Sequence, residues 1–105
     1  MKLYLKSERS GYDASAEYYV KEKKFVIKKG SKISNYIACS DTFKASKKIV
    51  ERRENTIDKN NITLENVTFK SPSTAANYVT GRSTNGLIAW KNENGKKLKD
   101  ILNNE

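Results

Sequence analysis

The sequence predicts a small α+β domain in which an antiparallel hairpin sheet packs against one longer helix and one short helix. Three observations carry this expectation. Apolar and polar residues alternate through the first third of the chain, apolar residues recur at three- and four-residue spacing from Asp41, and Ser71-Pro72-Ser73 opens a segment that Gly81 closes. With 105 residues the chain is expected to form one domain over 1–105, because domains usually run to about 100–150 residues.

The elements follow in order. Leu3 and Leu5 alternate with Lys2, Tyr4 and Lys6, which predicts a short strand with one buried face. Ser10-Gly11 breaks the pattern. It resumes with Ala14, Ala16, Tyr18 and Val20 on one side and Asp13, Ser15, Glu17 and Tyr19 on the other. The charged run Lys21 to Lys24 reads as a hairpin loop, Phe25-Val26-Ile27 as the return strand, and Lys28-Lys29-Gly30-Ser31 as its end. Small Ala14 and Ala16 leave room for a helix to approach closely. From Asp41, Phe43, Ser46, Ile49, Val50, Arg53 and Ile57 trace one helical face, with Ser40 or Asp41 as N-cap, and the pattern decays at Asp58-Lys59-Asn60-Asn61.

The most explicit local signal is the second helix. Pro72 drives Ser71 into the extended conformation of an N-cap and itself suits the first helical position, while Gly81 supplies a left-handed stop. This predicts a helix from about Pro72 to Thr80 with Ala75, Ala76 and Val79 turned inward. Asn85-Gly86 matches the preference of a tight hairpin turn, which predicts a strand Leu87 to Lys91 containing the single tryptophan, Trp90, as a core residue. A second turn at Asn94-Gly95 leads to a terminal helix around Leu98, Ile101 and Leu102.

Composition bounds the chemistry. The absence of histidine excludes imidazole bases, Ser-His-Asp relays and His-ligated metals, and a lone Cys39 allows neither an internal disulfide nor a thiolate cage. No spacing matches a phosphate-binding loop or dinucleotide fingerprint, so neither cofactor nor metal is expected. The carboxylates Glu51 and Glu54 read as a solvated helix surface. No apolar run reaches the roughly 18–20 residues of a membrane span. The cysteine usage suits a reducing cytoplasm, which is the expected location.

The positive clue is charge. Lys and Arg number 21 against 12 Asp and Glu, for a formal +9, a balance that suits a nucleic-acid partner because phosphate backbones reward surfaces that release their counterions. Only four of the cations are arginine (Arg9, Arg52, Arg53 and Arg82), a Lys-rich usage that an AT-rich genome would also write. Residues 1–38 hold nine cations against four anions, so the excess leans to the hairpin region, through Lys21, Lys23, Lys24, Lys28, Lys29 and Lys32. The start of the second helix, with Ser71, Ser73 and Thr74 beside Lys70, is a candidate phosphate site, or else an ordinary capped helix whose hydroxyls serve their own backbone. Arg82, Asn85 and Lys91 flank the following turn and are side-chain types that reach base edges and phosphates.

The stretch Phe69-Lys70-Ser71-Pro72-Ser73-Thr74-Ala75-Ala76, then Gly81-Arg82-Ser83-Thr84-Asn85-Gly86, then Trp90-Lys91, resembles the F-x-S-P-S-x-A-A … G-x-x-x-N-G … W-K signature of domain-of-unknown-function family 4357. Gly11 to Ala16 and Val26 to Ser31 resemble the same family's hairpin, so the likeness covers most of the chain. The resemblance implies an accessory domain, of a kind found C-terminal to GIY-YIG nuclease domains or in restriction-modification settings and similar to RAMA domains, which are proposed to recognise modified DNA. One departure stands out: Leu87 follows Asn85-Gly86 where the family pattern has tryptophan. The nuclease motif itself is absent, since Tyr18-Tyr19-Val20 lies in a hairpin strand.

These readings together predict a non-catalytic nucleic-acid-binding accessory domain, for DNA in the first instance, partnered with a nuclease domain or subunit and with no membrane or metal. The expected contact residues are Lys28, Lys29, Lys70, Ser71, Ser73, Thr74, Arg82, Asn85 and Lys91. A protein-interaction domain using Tyr19, Tyr36 or Leu87 is the alternative, and a small basic ribonuclease dependent on Arg82 is a third.

Overall fold

A computed structural model describes residues 1–35 and 46–103. Four strands form one antiparallel sheet in the order β1-β2-β3-β4, with β1 at Lys2–Ser7, β2 at Tyr12–Tyr19, β3 at Lys24–Ile27 and β4 at Val67–Phe69. The alternation read from the sequence sets the register. Leu3 lies opposite Ala16 and Leu5 opposite Ala14, Phe25 opposite Phe69 and Ile27 opposite Val67, so that all eight side chains fall on one buried face. The hairpin loop spans residues 20–23 rather than 21–24, because Lys24 already pairs with Tyr19, and Val20 turns out exposed. β4 has no counterpart among the expected elements. Its three residues are too short to show a period and become a strand only by hydrogen bonding to β3.

Helix α1 covers Ser46–Thr56, with Ile49 and Arg53 buried as the helical spacing expects. The expected N-cap at Ser40 or Asp41, and Phe43, Cys39 and Tyr36, lie outside the described residues. Helix α2 runs Pro72–Thr80, matching the sequence expectation at both ends: Ser71 is extended and its side chain accepts from the Thr74 N–H, while Gly81 adopts φ 78° and donates to Asn77 O. Ala75, Ala76 and Val79 pack on the inner face of the sheet, where Ala14 and Ala16 leave space. Tyr78 joins them, its ring 5.2 Å from that of Phe69. Trp90 is wholly buried against Phe25, ring centroids 4.8 Å apart, and its indole N–H donates to Pro72 O at 3.0 Å.

The expected hairpin and strand at 85–91 do not form. Asn85 is instead the N-cap of a short helix, α3, at Gly86–Ala89, with its side-chain oxygen accepting from the Leu87 N–H. Asparagine next to glycine serves a helix start as readily as a tight turn, and packing decides between them. A Cβ on Gly86 would lie 2.3 Å from Pro72 C and 2.5 Å from Pro72 O and Ser73 N, so this glycine allows the start of α3 to touch the start of α2. Of the expected strand only single bridges remain, from Lys91 to Tyr4 and to Lys97. The turn at Asn94-Gly95 is present and leads into α4, Leu98–Asn103, anchored by buried Leu98.

Candidate functional site

The same alternation that buries the leucines and alanines places their neighbours on the opposite, solvent-facing side of the sheet. Residues directly across an antiparallel pair share a face, so the register orders this side into rows. One row reads Lys97, Lys91, Tyr4, Ser15 and Lys28, since Lys91 bridges both Lys97 and Tyr4, Tyr4 faces Ser15, and the Lys28 N–H donates to Ser15 O. The next reads Lys2, Glu17, Val26 and Thr68, of which Val26 is buried at 7% exposure. Flanking rows hold Lys6, Asp13 and Lys32 on one side and Tyr19 with Lys24 on the other. Lys70, directly after β4, continues that register opposite Lys24.

The rows therefore gather seven lysines, Lys2, Lys6, Lys24, Lys28, Lys32, Lys91 and Lys97, against two carboxylates, Asp13 and Glu17. All seven are solvent-exposed. Two aromatic rings stand among them, Tyr4 at 39% and Tyr19 at 42% exposure. Lys2, Tyr4, Ser15, Glu17 and Lys28 also line a shallow depression of about 420 Å³ on this face. Glu17 Oε2 is shielded from solvent, has no hydrogen-bond partner and lies 3.6 Å from the Met1 amino group. Neighbouring charges a strand apart lie well within the roughly 8–10 Å over which salt screens them at physiological strength, so the lysines act as one positive field.

The residues expected to bind do not all meet here. Lys28 and Lys91 share the central row, Lys70 borders it, and Lys29 is exposed just past β3, its N–H donating to the Asn66 side chain. Ser71, Ser73, Thr74 and Asn85 lie instead where α2 and α3 begin, and their polar atoms are engaged. Ser71 Oγ takes the Thr74 N–H and meets the Thr74 hydroxyl at 2.9 Å, Ser73 Oγ accepts from Gly86 N at 3.0 Å, and Asn85 caps α3. Pro72 has no N–H to offer. Within the first turn of α2 the Thr74 and Ala75 N–H groups are thus taken up by Ser71 Oγ and Ser71 O. Arg82 follows Gly81 at the far end of α2, in a hollow with Ser10, Tyr12, Ser34 and Thr80 on the helical side of the sheet.

That hollow adjoins a buried polar node. Arg53, 6% exposed, donates from Nε to Tyr78 O at 3.0 Å and from Nη2 to Tyr78 O at 2.7 Å, Val79 O at 3.3 Å and Ser34 Oγ at 3.3 Å, while Ser34 Oγ donates to Thr80 O. These bonds satisfy the last carbonyls of α2, which its own ladder leaves open. Burial lowers the guanidinium to about 10, so it remains charged at neutral pH. The Tyr78 hydroxyl pairs with the Thr56 hydroxyl, and burial raises its pKa against the opposing pull of that bond and of Arg53 and Arg52. The node ties α1 to α2 and is structural.

Sequence reasoning placed the hairpin lysines but not Lys2, Lys6, Lys97, Tyr4, Ser15 or Glu17 among the candidates. For Lys2, Tyr4, Lys6, Ser15 and Glu17 the signal was present in the alternation, since each is next in sequence to a buried residue, and what was missing was the order of the strands. No group of three or more His, Cys, Asp or Glu side chains among the described residues could hold a metal ion, and no described helix is long and apolar enough to cross a membrane. Compared with known proteins, the chain matches one family model, Domain of unknown function (DUF4357), over residues 3–102. No curated protein and no solved structure matches it.

Proposed function

The chain belongs to the DUF4357 family, and from that premise we propose that it is a non-catalytic nucleic-acid-binding accessory domain that holds DNA on the open face of its sheet, in the service of a nuclease or restriction-modification enzyme. Membership alone assigns no activity, because the family is defined without one and function resides in sites rather than folds. The observation that carries the reading is the row Lys97, Lys91, Tyr4, Ser15 and Lys28, in which residues from four parts of the chain bring cations and an aromatic ring onto one surface. Lysine usage set by genome composition would scatter charge over all faces. Here seven of the 17 lysines share one sheet face with only two carboxylates.

Backbone contact through about five of these lysines gives a log affinity that falls with log salt at a slope of about −4.5 on duplex or −3.5 on a single strand. Fluorescence anisotropy of labelled oligonucleotides, titrated at several salt concentrations, measures it. No salt-dependent binding at micromolar protein overturns the proposal. A second reading, a protein-docking domain, draws on Leu87 and Ile88, which stand 39% and 46% exposed side by side on α3. It predicts binding to a partner chain that is insensitive to salt and lost on Leu87→Ser with Ile88→Ser.

A further inference from the structure

The lysine-rich sheet face has a shape as well as a charge, and the shape selects among nucleic acids. Four strands at about 4.8 Å spacing, widened at one edge by the Lys91 and Lys97 bridges, make a surface broader than the roughly 12 Å major groove, which admits a helix or a two-stranded ribbon. Such a face does not fit the major groove of an undistorted duplex. Tyr4 and Tyr19 lie on adjacent strands, and four residues of β2 separate Tyr19 from Ser15, the partner of Tyr4, which sets the rings about 13 Å apart along the strand. That is nearly four times the 3.4 Å rise of stacked bases in a duplex strand. Bases resting on both rings must belong to a strand that is splayed open, as in recognition of unpaired nucleic acid.

Beside the Tyr4 ring lies the depression lined also by Lys2, Ser15, Glu17 and Lys28. Lysine ammonium groups there suit phosphates. Glu17 Oε2, shielded from solvent and 3.6 Å from the Met1 amino group, is turned away from a ligand, so the accessible groups of the depression are the ammonium groups and the Tyr4 ring.

Resting on the DNA-binding reading above, we infer that the sheet face takes a single-stranded segment, with one base stacked on Tyr4, another on Tyr19, and the intervening phosphates held by Lys2 and Lys28 at the depression. Ser15, facing Tyr4 across the pair, adds a hydroxyl to the lining of that depression.

The test is an anisotropy titration of the full chain with labelled octanucleotides of dC and dT, an octanucleotide of rC, and a DNA duplex. The expected result is tighter binding of oligo(dC) than of duplex. Tyr4→Ala and Tyr19→Ala should each weaken it by about five-fold or more while leaving the salt slope unchanged. Oligo(dC) and oligo(dT) should bind within about five-fold of each other, because stacking on the rings tolerates every base. The emission of buried Trp90 checks that each variant is folded. Preference for duplex, or tyrosine variants that bind like the parent, overturns the inference and leaves the DNA-binding proposal standing. Failure to bind any of the four overturns both. Equal or tighter binding of oligo(rC) keeps the unpaired-strand geometry and overturns DNA as its source.

Discussion

Gly86 illustrates how much one residue's meaning depends on its surroundings. Beside Asn85 it reads as a turn glycine, yet it opens α3, and what it supplies is the absence of a Cβ where two helix starts touch backbone to backbone. Gly86→Ala should therefore destabilise the fold by about 2–3 kcal/mol or more, since the neighbouring atoms belong to Pro72 and Ser73 main chain and cannot rotate aside. Thermal unfolding measures this. Tyr78 carries the clearest pH prediction. Its phenol is raised above the ordinary value of 10.0 chiefly by burial, so the folded state holds a proton that the unfolded chain has released. Its contribution is whole below pH 10 and is lost as pH rises through and above it. Tyr78→Phe, which forgoes the Thr56 hydrogen bond at a cost of about 1 kcal/mol, should show a deficit at neutral pH that narrows above pH 10. Chemical denaturation of both proteins at neutral and alkaline pH checks it. The Arg53 shift works in the opposite direction over that range, and since the charge of Tyr78 is one of its two causes, the difference between the proteins reads the Tyr78–Arg53 pair together.

At the scale of elements, α2 was legible from sequence at both ends because its signals are local. A serine before proline, proline at the first turn and glycine at the stop act on their own backbone and need no partner. Those same local bonds account for the Ser71, Ser73 and Thr74 hydroxyls. Ser71→Ala should cost about 1 kcal/mol of stability through the lost cap and leave DNA affinity unchanged. Paired unfolding and anisotropy measurements separate the two effects. By contrast β4 and α3 were not legible. β4 exists because Val67 and Phe69 meet Ile27 and Phe25 across the sheet, a pairing some forty residues distant in sequence, and α3 exists because Asn85-Gly86 abuts Pro72. Neither cause is present in its own segment.

For the whole molecule, the question is where the charge lies. The sheet separates two environments, and the candidate residues divide between them: Lys28 and Lys91 on the open face, Arg82 beyond α2 on the helical side. Lys91→Glu should weaken DNA binding by about ten-fold at low salt, with a shallower salt slope, whereas Arg82→Glu should change it by about two-fold or less. A result with the two reversed would move the interface to the α2 end. Arg53, though cationic, takes no part, because its guanidinium is spent on the carbonyls of α2.

Alternation, helix caps and composition are properties of neighbouring residues, and from them the sequence alone determined the hairpin, the ends of α2, the buried Trp90, the histidine-free chemistry and the basic character of the chain. Which lysines stand together was decided only by the tertiary structure. Lys91 joins Tyr4, Ser15 and Lys28 through pairings that span most of the chain, and a strand's own period says which face a residue takes but not which strand lies beside it. Net charge is a sum and carries no position. The strand order of the folded sheet gives that charge a surface.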